Sequence, residues 1–197
     1  MVFRTVSDGV VAGSGTKNAI RDAAVKLFAN KGFEQTSLRE VADAVGITKA
    51  SLYYHYASKL DLLVAIIDPI IDHLRSTVDG LDRVARDATA IRAVLGRHLR
   101  GMLAHRAAGA LIIGDTVTIV NAMADRHPEL VDSSKALRDW LAGPNPDTEA
   151  MLRAGAALDV LGLALVSAEV VPDAGDDEVE RILLDIAVSV LEGRRSA

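Results

Sequence analysis

Between Ala44 and Leu60 the chain carries no Asp or Glu. The same window holds Lys49, Lys59 and His55, three tyrosines (Tyr53, Tyr54, Tyr56) and the hydroxyls of Thr48, Ser51 and Ser58. This set is rich in hydrogen-bond donors and positive charge and empty of negative charge, so it suits contact with a polyanion rather than proton transfer. A surface that lies against phosphates cannot keep carboxylates, because each would be desolvated beside like charge. Hydroxyls and ammonium groups donate to phosphate oxygens instead. The rest of the chain is different in kind. Its 197 residues sum to a formal net charge of −5, yet residues 1–60 hold 8 Lys and Arg against 5 Asp and Glu, and residues 61–197 hold 14 against 22. A basic head on an acidic body implies that the head alone meets the anionic partner.

Other residues with chemical potential are weaker. Gly13-Ser14-Gly15-Thr16-Lys17 looks like a phosphate loop but lacks the spacing of one, and no strand precedes it. His98 and His105 lie seven apart on one helical face, and Asp68, Asp72 and His73 cluster beside Pro69. Both groups read as polar rim or solvated surface rather than as a metal centre. No nucleophile, base and orienting group assemble into a catalytic set. The chain has no cysteine, which excludes a disulfide framework, a zinc thiolate site and a thiol nucleophile and fits a reducing cytoplasm. Neither a catalytic residue, a metal nor a cofactor is expected. No uninterrupted apolar run reaches bilayer-spanning length; the nearest, Ala154 to Ala168, is broken by Asp159. Residues 1–15 make a poor signal peptide and read as a mobile tail.

The elements that must carry the window are helices, since nothing alternates at period two. Ile20, Ala23, Ala24, Leu27 and Phe28 form one apolar face, which Gly32 ends. Ser37-Leu38-Arg39-Glu40 is a capping box opening a second helix, with Leu38, Val41, Ala42 and Val45 as its stripe and Gly46 as its stop. Thr48 caps a third helix, in which Leu52 and Tyr56 face inward while Lys49, Ala50 and Tyr53 face out. Ser58 to Asp61 starts a fourth helix that runs past Pro69, where a kink is expected. Further helices are predicted near 86–106, 109–124, 128–142, 147–169 and 176–193. In 147–169 the apolar residues go nearly all round, and 176–193 carries a broad stripe of Val179, Ile182, Leu183, Ile186, Ala187, Val190 and Leu191. A second copy of the chain is expected to cover this pair.

Helix 37–44, the turn Val45-Gly46-Ile47 and helix 48–55 make a helix-turn-helix, whose second helix enters the DNA major groove. The run AIRDAAVKLFANKGFEQTSLREVADAVGITKASLYYHYASKLDLL within Thr16–Leu63 resembles the DNA-binding domain of the TetR family of bacterial repressors. It has the Leu-Phe helix ending in Lys-Gly-Phe, the Thr-Ser lead into Val-Ala and Ala-Val-Gly, the Leu-Tyr-Tyr-His-Tyr core, and Ser-Lys before Leu-Leu. The family usually has Phe where Tyr56 stands.

That resemblance implies an all-α protein: residues 16–62 a three-helix DNA-binding domain, residues 63–197 a helical ligand-binding and dimerisation domain. It implies a homodimer on a palindromic operator of double-stranded DNA, released by a small-molecule effector. Thr36 and Ser37 match phosphate-contacting positions. Thr48, Lys49, Ala50, Ser51 and Tyr53 match the surface facing bases and nearby backbone. Tyr54, His55 and Lys59 match phosphate contacts. Lys49 is the foremost base reader, because an ammonium donates to guanine O6 and N7. For the effector pocket the inward candidates are Met102, His105, Asp115, Thr116, Met123 and Trp140. An activator, or a DNA-binding protein that answers to no ligand, is the alternative on the same scaffold.

Overall fold

The protein is described from a computed structural model that covers residues 8–114, 116–123, 126–127 and 129–193. Side chains at 8–14, 113, 116, 120, 123, 129 and 130 lie outside the description. All regular structure among the described residues is helical. In chain order the elements are α1 (Asp8–Lys31), α2 (Leu38–Val45), α3 (Lys49–His55), α4 (Lys59–Val78), α5 (Ala88–Ala104), α6 (Arg106–Gly114), α7 (Thr116–Met123), α8 (Glu129–Ala142), α9 (Thr148–Gly162), α10 (Ser167–Val170) and α11 (Asp176–Glu192). Short 3₁₀ turns at Leu81–Arg83 and Leu163–Val166 complete the set.

Two compact units emerge. One takes the chain up to Ile67 together with Leu111–Met123; the other takes Asp68–Ala110 and the chain from Ala124 onward. The expected boundary at 62/63 therefore falls slightly early, and the first unit also recruits α7, far away in sequence. The division passes within α4 and α6. The N-terminal segment also departs from expectation. Residues 8–15, read as part of a tail, are the first two turns of α1, and the Gly13–Lys17 stretch is helix rather than loop.

In the first unit the apolar face of α1 is buried as its spacing requires, with Ile20, Ala24 and Phe28 inside, joined by Leu38, Val41 and Ala42 of α2, Leu52 of α3, and Leu62 and Leu63 of α4. The capping box at α2 forms in full. Ser37 Oγ accepts from the Glu40 N–H, and the Glu40 carboxylate accepts from the Ser37 N–H at 2.8 Å. Lys31 also pairs with Glu40. The Lys31 hydrogen bond first, then those from Ser37, hold the Glu40 carboxyl at a pKa of about 2. Gly46 then takes φ +75°, the left-handed region, and the Ile47 N–H returns to the Ala42 carbonyl at 3.0 Å. This closes α2 and turns the chain tightly into α3. A Cβ at Gly46 would meet open space, so Gly46→Ala tests the backbone alone. It is expected to cost about 1–2 kcal/mol in chemical denaturation, the penalty of a left-handed non-glycine residue.

The second unit is built round Leu95, Leu99, Leu137, Leu141, Ala154, Ala157 and Leu161, all fully or almost fully buried. On α9 the buried residues Ala154, Ala157 and Leu161 follow helical spacing and are continued by Ala164, so one stripe faces the core. The small side chains let α9 pack closely on α11. Three ion pairs tie α5 and α6 to α11 in antiparallel order: Arg92 with Asp185 at 2.6 Å, Arg100 with Glu180 at 2.7 Å, and Arg106 with Asp176. Helix 147–169 is not continuous, because it tightens into the 3₁₀ turn after Gly162. Thr148–Val170 nonetheless has the length and composition of a bilayer span, with mean hydropathy 1.6, where the sequence reading found no such run.

Between α4 and α5 the His73 and His98 rings stack at 6.5 Å. His73 Nε2 lies 3.1 Å from the Arg97 carbonyl. Its ring fills the space a Cβ on Gly101 would need, 1.9 Å from such an atom. His98 Nδ1 is buried without a hydrogen-bond partner. Burial, and secondarily the neighbouring His73, push the His98 pKa down to about 4. His98 is therefore neutral in the fold, while in the unfolded chain it takes a proton near pH 6.5. Its contribution to stability is complete above pH 6.5 and is lost as pH falls through 6.5 toward 4, a loss of ~3 kcal/mol. Urea unfolding at pH 7.5 and 4.5 should show this difference, and His98→Gln should shrink it.

Candidate nucleic-acid interface

Three residues separate α2 from α3, and they hold the two helices in contact. Thr48 is the N-cap of α3, its Oγ1 accepting from the Ser51 N–H at 3.1 Å, which leaves its hydroxyl proton to donate outward. Leu52 and Tyr56 are buried, as their spacing requires. That rotation fixes the opposite face. Lys49 and Ala50 are exposed, Ser51 and His55 are half-buried, Tyr53 is 45% exposed and Tyr54 is 87% exposed. Lys49 Nζ stands 5.5 Å from the centre of the Tyr53 ring, and Tyr54 meets His55 edge-on at 5.3 Å. An exposed ring with a hydroxyl tip, a poised ammonium and a hydroxyl-capped helix start form a donor surface, and α3 carries no carboxylate.

Three of the predicted phosphate contacts have partners within the chain. Thr36 is only 2% exposed. Its hydroxyl donates to the Gly32 carbonyl at 2.9 Å, with the Leu27 carbonyl at 3.3 Å. Its side chain thus caps the C-terminal end of α1, where its hydroxyl proton is engaged. Lys59 sends its ammonium to the carbonyls of Phe33 at 2.8 Å and Glu34 at 3.0 Å and lies 4.5 Å from the Phe33 ring centre. Ser37 is exposed, but its hydroxyl proton goes to Glu40 at 2.9 Å. Nothing in the sequence signalled the carbonyl cradle at Phe33 and Glu34, because it lies 25 and 26 residues from the lysine that fills it.

Of the predicted effector residues, Met102, His105 and Trp140 have described side chains. Asp115 lies outside the described residues, as do the side chains of Thr116 and Met123. Met102 and Trp140 are half-buried and pack on the core of the second unit, and Trp140 Nε1 donates to the Val84 carbonyl at 3.4 Å. His105 is half-buried and caps α5. A cleft of about 200 Å³ lies elsewhere, between Arg86, Leu141, Asp147, Glu149, Arg153 and Leu191. Its two guanidinium groups already bind the Leu141 carbonyl and Glu149. No group of three metal-ligating side chains converges among the described residues.

Fold and surface together define a helix-turn-helix protein with a separate helical body. Residues 20–66 match the family described as bacterial regulatory proteins, tetR family. Among curated relatives, the chain is 37% identical over 68 residues to the HTH-type transcriptional repressor KstR2 of Rhodococcus jostii. It is 39% identical over 62 residues to the biofilm operon icaADBC HTH-type negative transcriptional regulator IcaR of Staphylococcus aureus. Those alignments take in 34% and 32% of this chain, and the chain spans about a third of the length of each relative, 33% in both cases. Structural likeness extends further. The TetR family transcriptional regulator PfmR of Thermus thermophilus superposes with a TM-score of 0.69 at 25% identity, over 89% of this chain and 98% of its own. Mycobacterium smegmatis AmtR shares the fold with a TM-score of 0.71 at 23% identity, over 98% and 90%. Residues 20–66 thus resemble the DNA-binding domain of the tetR family, and the chain as a whole has the fold of PfmR and AmtR.

Proposed function

We propose that the chain is a cytoplasmic repressor that binds a palindromic operator as a homodimer and releases it when a small molecule occupies the second unit. The single observation that carries the DNA-binding part is the outward face of α3. It presents Thr48, Lys49, Ala50, Ser51, Tyr53 and Tyr54 on a helix without a carboxylate, set by a full capping box and a left-handed glycine turn. In this reading Lys49 donates to guanine, Ala50 touches a thymine methyl, and Tyr53, Tyr54 and His55 meet the backbone on either side.

The homodimer reading rests on the uncovered side of α9 and α11. Leu152 is 69% exposed and Leu163 52%, opposite the buried stripe of α9, while Ile182 and Ile186 sit exposed one turn apart on α11. Only 28% of the apolar window within Thr148–Val170 is buried by its own chain. A second copy buries this surface and sets two α3 helices in successive major grooves, about 34–36 Å apart. The effector follows from the family likeness: it favours a conformation whose two heads no longer match that spacing.

Binding of the purified protein to short duplexes, titrated against salt, tests the reading. The expected affinity falls steeply with salt, at a slope of about −0.9 per phosphate contacted. Affinity that is flat in salt would remove DNA as the partner. Small molecules that release the complex identify the effector, and an operator complex indifferent to all of them favours a ligand-independent regulator.

A further inference from the structure

Tyr56 closes α3 as its C-cap and keeps its ring in the core of the first unit, 7% exposed. A buried tyrosine normally finds a partner for its hydroxyl. Here no hydrogen bond joins that hydroxyl to any described residue, and its oxygen is not sealed from solvent. What stands near it is cationic. Lys17 Nζ lies 5.9 Å from the centre of the Tyr56 ring, and Arg21, one turn further along α1, acts on the phenol through its charge. Burial pushes the phenol pKa up, and the Arg21 charge offsets this in part. The hydroxyl therefore keeps its proton at neutral pH and is a donor. Ammonium and guanidinium groups only donate, so neither can accept that proton. Arg21 spends one donor on Asn18 Oδ1 at 2.5 Å, and Lys17 is exposed. An anion would take up all three groups. Their place is continuous with the outward face of α3, since Tyr54, 87% exposed, and His55 immediately precede Tyr56 in the window without carboxylates.

From this geometry we infer that the Tyr56 hydroxyl, flanked by Lys17 and Arg21, binds a phosphodiester of the operator backbone and so joins α1 to the DNA surface of α3. The hydroxyl donates to a phosphate oxygen and the two cations supply the countercharge. Such a contact adds affinity without reading sequence, and the phenylalanine usual at this position in the family cannot make it. The inference rests on the reading of α3 as the DNA-contacting helix.

The test compares the full-length parent with Tyr56→Phe and Lys17→Gln. The duplexes are an operator selected from random DNA and copies of it, each with one phosphate replaced by neutral methylphosphonate. Tyr56→Phe removes one oxygen and keeps the ring, and melting temperatures control for the fold. It is expected to weaken binding about tenfold for each head engaged, on operator and unrelated duplex alike. The salt slope should not change, because no charge is lost. Lys17→Gln, which leaves the core untouched, should lower the slope by about one unit per head. A methylphosphonate position in each half-site should weaken the parent by clearly more than it weakens either variant. Variants that bind as the parent does, or that lose as much as the parent at every methylphosphonate position, would overturn the inference and leave the head intact. A parent that binds no duplex would refute the reading of the head, and the phosphate contact with it.

Discussion

Replacing Leu152 by Asp is expected to give a folded monomer that binds its operator at least about 100-fold more weakly than the parent, because two linked heads gain that much from avidity. Leu152 is well exposed on α9, opposite Ala154, Ala157 and Leu161, which fill the core of the second unit. A carboxylate there costs the isolated chain little. At the centre of an apolar interface it is repeated by symmetry and has no partner, and the desolvation penalty falls on the dimer alone. Light scattering of parent and variant, with far-UV circular dichroism as the control for folding, reads the first half; operator titration reads the second. A variant that stays dimeric would show that α9 and α11 are not the joining face.

The second large effect falls on Lys49. Loss of its ammonium removes a base contact worth about 1–3 kcal/mol in each head, so Lys49→Ala should lower affinity for the preferred operator roughly 30-fold to more than a thousandfold if both heads engage. Binding to unrelated sequences should change much less. Lys49 is exposed beside the exposed Tyr53 ring, so the fold should not suffer. Competition between the selected operator and random duplex measures the ratio. An equal loss on both would place Lys49 on the backbone instead of on a base.

Much of this was legible in the sequence because the signals were local. The capping box at Ser37 and Glu40, the glycine stop at Gly46, the Thr48 cap and the inward pair Leu52 and Tyr56 each depend on residues within four positions, and each forms as its spacing requires. Periodicity also placed α5, α8 and α11 to within a few residues, whereas the single helix expected near 109–124 falls on α6 and α7, and the one near 147–169 is interrupted after Gly162. Failures came where a partner is distant. The carbonyl cradle that holds the Lys59 ammonium lies 25 and 26 residues away in sequence. His73, weighed beside Asp68 and Asp72 for a metal, stacks on His98 from another helix. No helical period encodes such pairings. The division of the chain, with α7 grouped with the head, depends on long-range packing in the same way.

The central claim is that α3 reads DNA as one of a symmetric pair, and selection of random duplexes by the purified protein tests it most directly. The expected result is enrichment of a palindrome whose half-sites are centred about one helical turn apart, lost when Lys49 is replaced by Ala. Enrichment of a single unpaired half-site would contradict the dimer. No enrichment at low salt, from protein refolded to strip any bound small molecule, would contradict the assignment of α3 itself.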